Sequence, residues 1–285
     1  MKYVLSLLLG IIIICSLIYG STTINISKQA LTIWVEVLIP SLFFPTVMLR
    51  LFMEYLPFQL NTRPIFNIYS YRYILLGFLL GYPNFAIYLD DECQKGRISP
   101  SEATRLIYCV SSCSLPFLLI TIGSSLFQNI RIGILLLISY LFSTCILFIL
   151  TQKQPIYSYH YHKSKVSFMK LCKEHMIKVG MSLFFIGGYI LICQVIFHLL
   201  PNTFITPFLS YILEFSSGVF TLATQTSNYQ LPCISAILGF GGICLHLQTF
   251  SSLDKIKIRY THYLAYRILQ AILMFLFVLF MQFFF

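Results

Sequence analysis

The sequence predicts an all-α polytopic membrane protein: a leading N-terminal helix, then two inverted repeats, each with three transmembrane helices and one re-entrant hairpin. Three observations carry this. Hydrophobic residues make up 58% of the chain and charged residues 10%, which is more apolar surface than a soluble core of this length hides. Two short apolar segments at corresponding places, 76–86 (LGFLLGYPNFA) and 213–223 (LEFSSGVFTLA), are interrupted by Gly, Pro or Ser where a spanning helix would continue. Unwound backbone at bilayer depth is tolerated only where it lines a cavity. The string SLFF recurs at 41–44 and 182–185, each time followed by a broken segment and two more helices, as a repeat would require.

The apolar run 3–20 after Lys2 has the look of a signal sequence. No small-x-small site follows it and many spans come later, so it reads as a retained first helix, with the residues up to 30 completing it as an outer loop. Further apolar stretches fall near 31–56, 73–89, 104–127, 131–150, 177–200, 207–224, 231–250 and 262–285. They divide the chain into 1–30, a first repeat 31–150, a basic cytoplasmic loop 151–178 and a second repeat 179–285. If every stretch crossed, the basic residues would split evenly between the two sides. If each broken segment returns to its own side, only Lys28 and Arg131 of the 19 basic residues lie outside. The positive-inside rule selects the second arrangement, seven crossings with a cytoplasmic N-terminus, and the expected location is the cell membrane. Three crossings per repeat make the repeats opposite in orientation. The first broken segment suffices for two arms reaching roughly 12 Å into the bilayer at ~1.5 Å per residue.

The same topology accounts for the net charge of +10, so no nucleic-acid partner is expected. Nine cysteines are scattered without a CxxC pair, implying neither a disulfide framework nor a metal site. Asp90, Asp91 and Glu92 read as a solvated loop face. Ser99, Pro100 and Glu102 form a capping box that starts a helix running to about Phe127. No GxSxG, HExxH or Walker motif occurs, and an enzyme is not expected.

Candidate substrate-binding residues are the two hairpin tips, Gly81, Tyr82, Pro83 and Asn84, and Ser216, Ser217 and Gly218. Two helix patches join them: Ser111, Ser112 and Ser114 near Pro116, and His246 and Gln248 after Gly239, Gly241 and Gly242. Polar groups at this depth either hydrogen-bond between helices or face a watery path. Convergence at equivalent repeat positions favours the path. His246 can hydrogen-bond substrate or a neighbouring helix. Glu214 is placed near the outer interface. The Lys-rich loop 153–178, with Tyr157, Tyr159 and Tyr161, suits anionic lipid headgroups. The expected partners are a small-molecule substrate and the lipid bilayer, a homo-oligomer is compatible with the chain, and no cofactor is implied.

At these residues the chain resembles the YlbJ-type sporulation integral membrane proteins of the nucleoside-recognition, or Gate, domain family. The resemblance rests on Gly81-Tyr82-Pro83, on 96–106 (GRISPSEATRL), and on 213–218 with 239–248 (GFGGICLHLQ). It implies a multi-pass transporter or facilitator of a small polar or anionic metabolite, dipicolinate-like or nucleoside-like, linked to spore formation, and adds a forespore-surrounding membrane as an alternative location. The alternative is a membrane scaffold or sensor using the same fold. Family members follow G-Y-P with x-G-A-K, whereas Asn84, Phe85, Ala86 and Ile87 stand here, so that Gly and that Lys are missing.

Overall fold

The computed structural model describes residues 2–55, 68–111, 113–151, 167–199, 211–225 and 227–283, and every regular element among them is helical. In chain order these are α1 (Lys2–Ile18), α2 (Gly20–Thr32), α3 (Ile39–Tyr55), α4 (Ile68–Leu80), α5 (Asn84–Gln94), α6 (Pro100–Cys109) and α7 (Ile130–Leu150). Then follow α8 (Phe168–Leu199), α9 (Phe215–Ala223), α10 (Gln230–Phe240), α11 (Gly242–Ser251) and α12 (Tyr260–Met281). Ile33–Leu38 and Phe117–Leu126 wind as wider π turns. Five helices, Gly20–Tyr55, Ile130–Leu150, Phe168–Leu199, Gln230–Ser251 and Tyr260–Met281, are long and apolar enough to cross a membrane. Phe44, Phe52, Ile138, Phe184 and Leu276 stand exposed on them, as lipid-facing side chains of a multi-pass membrane protein do.

The structure changes several local expectations. Residues 20–30, read as outer loop, are helical and belong to α2, which follows α1 through the single joint Tyr19. The helix expected from Ser99 to Phe127 is broken: α6 ends at Cys109, and Val110, Ser111, Cys113 and Ser114 are not helical. Pro116 lacks an amide hydrogen and its ring clashes with the carbonyl four residues earlier, so a helix cannot run straight through it. In the second broken segment the turn is not at Ser216 to Gly218, which lie inside α9, but at the non-helical Glu214. The Glu214 carboxylate accepts the Ser216 amide at 3.1 Å and the Ser216 hydroxyl, starting the helix as an N-cap does.

Two packing units meet at the centre. The α2–α3 rod lies antiparallel to α8, with the Trp34 indole donating to the Leu183 carbonyl at 2.8 Å. Its ring lies where a Cβ on Gly187 would fall, 2.6 Å away. Helices α4 to α7 and α9 to α12 share the larger core. There, small residues let backbones touch: a Cβ on Gly133 of α7 would come within 2.7 Å of the Leu118 carbonyl, and one on Gly239 of α10 within 2.9 Å of Ala271 Cα. Gly239→Ala is expected to lower the melting temperature in detergent by the equivalent of about 1–3 kcal/mol of overpacking. Gly180→Ala, where nothing lies within 4 Å, is expected to leave it unchanged.

At one end of the bundle the acidic run expected in a solvated loop is helical, forming the end of α5. Asp90 and Glu92 are buried. Three carboxylates at a helix C-terminus oppose its dipole, and cations from other elements offset them. Arg50 of α3 pairs with Asp91 at 2.7 Å, Lys178 of α8 with Asp91 at 2.9 Å, and Arg97 with Glu92 at 3.1 Å and Glu54 at 2.8 Å. Asp90 accepts the backbone amides of Lys255 and Ile256, each at 2.9 Å. His175, assigned to the basic loop from sequence, is a buried residue of α8 beside Glu54 at 3.9 Å.

Burial by itself would raise the Asp91 pKa, but Arg50 and Lys178 more than offset it and hold the carboxyl below its ordinary 3.8. A depressed folded value means that this stabilisation is complete above the unfolded value and is lost as pH falls through the folded one. Asp91→Asn strands the buried Arg50. It is expected to lower stability at pH 7 by about 3 kcal/mol and to flatten the acid limb of a melting-temperature series between pH 6 and pH 3 relative to wild type.

Candidate functional site

Each half contains helices that stop inside the bundle, and their ends define the site. An interrupted helix exposes backbone carbonyls that hydrocarbon cannot satisfy. At α6 the Ser111 hydroxyl donates to the Ile107 carbonyl at 2.6 Å, and Arg267 of α12 donates to the carbonyls of Ser111, at 2.6 Å, and Tyr108. At α10 the Leu238 carbonyl accepts from the hydroxyls of Tyr82, at 3.2 Å, and Tyr140. His246 Nε2 lies 2.9 Å from the Phe240 carbonyl, and because a carbonyl only accepts, that nitrogen carries the proton. The capping groups largely cross between halves: an arginine of the second half closes α6, and two tyrosines of the first close α10.

Glycines let these ends approach. Gly81 ends α4 at φ +64°, and Gly241 ends α10 at φ +87°, values that glycine adopts without strain. A Cβ on Gly81 would come within 2.6 Å of the Ser114 amide, one on Gly241 would collide with the Tyr82 hydroxyl, and one on Gly242 would lie 3.0 Å from the Phe215 amide. The first broken segment therefore abuts the break after α6, and the second abuts the break between α10 and α11.

A cavity of about 110 Å³ lies among these breaks, room for several waters or a small solute. Its polar lining consists of Tyr82, Cys113 and Ser114 from the first half, Glu214, Ser216, Cys244 and Gln248 from the second, and Ser41 from α3. Apolar residues of α3, α8 and the preceding π turn, among them Leu42, Ile186 and Ile190, close the remaining wall. Gln248 donates from Nε2 to Cys244 Sγ at 3.2 Å, while its buried Oε1 has no partner among the described residues.

Of the residues selected from sequence, Tyr82, Ser114, Ser216 and Gln248 meet at this cavity. Gly81 supports it by close packing on Ser114, and Gly218 packs on Tyr211, where a Cβ would lie 3.0 Å from the Cα. Pro83 is joined to Tyr82 by a cis peptide bond at the turn into α5. Asn84 is turned to α8, accepting the Ser182 hydroxyl at 2.8 Å. Ser111 serves the end of α6, and His246 is packed against Phe240 and Tyr263 rather than lining the cavity. Ser112, the side chain of Ser217 and the tyrosine-bearing part of the basic loop, 152–166, lie outside the described residues.

Two important residues escaped sequence reading. Glu214, assigned to the outer interface, is buried in the cavity wall, because the break in this segment falls on it rather than on the serines that follow. Arg267 is fully buried, although its sequence position, eight residues beyond Arg259, resembles that of a basic residue at a helix end. The signal that it differs is its (i, i+3) partner Gln270, a second polar residue on the same face of an apolar helix, to which it is hydrogen-bonded.

No family model matches the chain, and no curated protein or solved structure matches it either.

Arg267→Met removes the donors for two helix-end carbonyls, the Ser111 one buried and the Tyr108 one partly buried. It is expected to destabilise the protein by about 3 kcal/mol or more, read as a lowered melting temperature in detergent. Arg259→Met, in the exposed segment before α12, is expected to have no such effect.

Proposed function

We propose that this protein is a secondary transporter or facilitator that carries a small polar solute through the cavity between its two sets of helix breaks. The observation that carries the reading is the convergence of Tyr82 and Ser114 with Ser216 and Gln248, polar groups from both halves at interrupted helices, on one cavity. Backbone that departs from helix at bilayer depth is retained where it serves a binding site or passage.

The element order supports two related halves. Each has a long helix, a segment broken at Gly81 or Glu214, a second break near 110–114 or at Gly241, and a closing long helix. In the first half, the Arg50–Asp91 and Glu54–Arg97 pairs bring the end of the broken segment back to the end of α3, from which the chain left for it. That return is what a re-entrant hairpin makes. Lys95, Arg97, Lys178 and Lys255 gather at this same end, and under the positive-inside rule it faces the cytoplasm, as does the N-terminus. The link to spore formation rests on the resemblance carried by Gly81-Tyr82-Pro83 and 96–106.

In vesicles containing the purified full-length chain, Tyr82→Phe with Ser216→Ala and Gln248→Leu is expected to cut protein-dependent solute flux at least tenfold. The pair Asn84→Ala and His246→Phe, outside the cavity, is expected to change stability more than flux. Equal flux from the cavity triple variant and the wild type would remove the reading.

A further inference from the structure

The cavity's charge and hydrogen-bonding balance points to the kind of solute it takes. Its lining contains one ionisable acid, Glu214, and no Lys, Arg or His among the described residues. The positive end of α9, which would otherwise draw an anion, is already met by Glu214 through the Ser216 amide and hydroxyl. A dicarboxylate would therefore meet a carboxylate in a lining that offers no Lys, Arg or His among the described residues. Gln248 lines the same space, and its Oε1 is a buried acceptor with no partner among the described residues. A buried acceptor without a donor costs about 1–3 kcal/mol, and a ligand carrying N–H donors relieves that cost once the amide turns to meet it.

Aromatic faces complete the site. Phe117 and Phe215 stand 5.5 Å apart edge to face, and Tyr82 and Phe215 6.5 Å apart, while Phe220 joins them in the lining. Rings of this kind attract cations, and the attraction grows where water is excluded. We infer that the solute is a small organic cation, a protonated primary amine on an apolar body, whose ammonium donates to Glu214 and Gln248 while its body lies against the phenylalanines. This rests on the transport reading and replaces the anionic metabolite that the family resemblance implies.

The test uses the purified full-length chain with three probes of similar size: 2-phenylethylammonium, its neutral counterpart 2-phenylethanol, and pyridine-2,6-dicarboxylate. Binding is read in detergent as a rise in melting temperature with probe concentration. Flux is read in vesicles after subtraction of leakage through protein-free vesicles. The ammonium is expected to bind at least tenfold more tightly than either other probe. Glu214→Gln, which keeps an acceptor for Ser216 and hence the start of α9, is expected to weaken that binding at least tenfold. Gln248→Met is the second variant, expected to weaken the ammonium by more than it weakens the alcohol.

Preferential binding of the dicarboxylate, ammonium binding that is indifferent to Glu214→Gln, or no ammonium binding in a folded protein would each overturn the inference. Ammonium binding lost in Glu214→Gln but without protein-dependent flux would uphold the cation site and remove the transport reading. Flux of the dicarboxylate or the alcohol alone would do the reverse.

Discussion

The structure depends on satisfying helix-end carbonyls in a place where water cannot do it. Two helical stretches, α6 to Leu126 and α10 to α11, are interrupted inside the bundle, and each interruption leaves acceptors whose cost, unpaired in hydrocarbon, is several kcal/mol apiece. The chain meets this with long side chains sent across from other elements: Arg267 to Tyr108 and Ser111, and Tyr82 with Tyr140 to Leu238. Arg267 is a cation placed at the negative end of α6, where the helix dipole and two carbonyls together stabilise its charge. No carboxylate lies within ion-pair distance of it among the described residues, so backbone groups and Gln270 supply its acceptors. Its role is therefore tied to the break in α6.

Interruption and cavity follow from the same cause. Where a helix stops, its side chains no longer fill the cylinder that the next turn would have occupied, and residues beside four such gaps line one cavity. Gly81 and Gly241 permit the turns, and the phenol of Tyr82 passes over Gly241 to reach Leu238. Tyr82 thus both caps a helix and lines the cavity. The charged end works by different rules, because Asp90 and Glu92 are buried and Asp91 partly so, yet all three are matched by cations or amides of other elements. There the ion pairs fix how α3, α5 and α8 are placed relative to one another.

Much of the helical framework was legible in the chain, because runs of about 20 apolar residues have few other uses. All five crossing-length helices overlap stretches that hydrophobicity marks out. The break at Gly81 was legible because Gly and Pro act through local backbone geometry, and the start of α6 because Ser99 caps it, accepting the Glu102 amide at 3.2 Å. The break at Glu214 was not, because it depends on which neighbour supplies the cap, and the serines nearby looked the better turn formers. His246 shows the converse. A lone histidine in an apolar run has the same local appearance whether it faces solute or a carbonyl, and only the third dimension shows that Phe240 holds it.

The bonds around the cavity differ between its two seams. Separating the two halves within the larger core would break the tyrosine bonds to Leu238 and the arginine bonds to α6, each hydrogen bond contributing about 1–3 kcal/mol in a buried setting. The wall formed by α3 and α8 meets the cavity mainly through Leu42, Ile186 and Ile190, with Ser41 as its polar residue, and the Cys193 thiol of α8 is hydrogen-bonded to Cys244 of α11. That wall is pinned to the rest through Arg50 and Lys178 on Asp91 and through Ser182 on Asn84. The residues that keep interrupted backbone stable at depth thus also join the two halves of the larger core, while the α3 and α8 wall is joined to that core by ion pairs at its charged end and by mostly apolar side chains along the cavity.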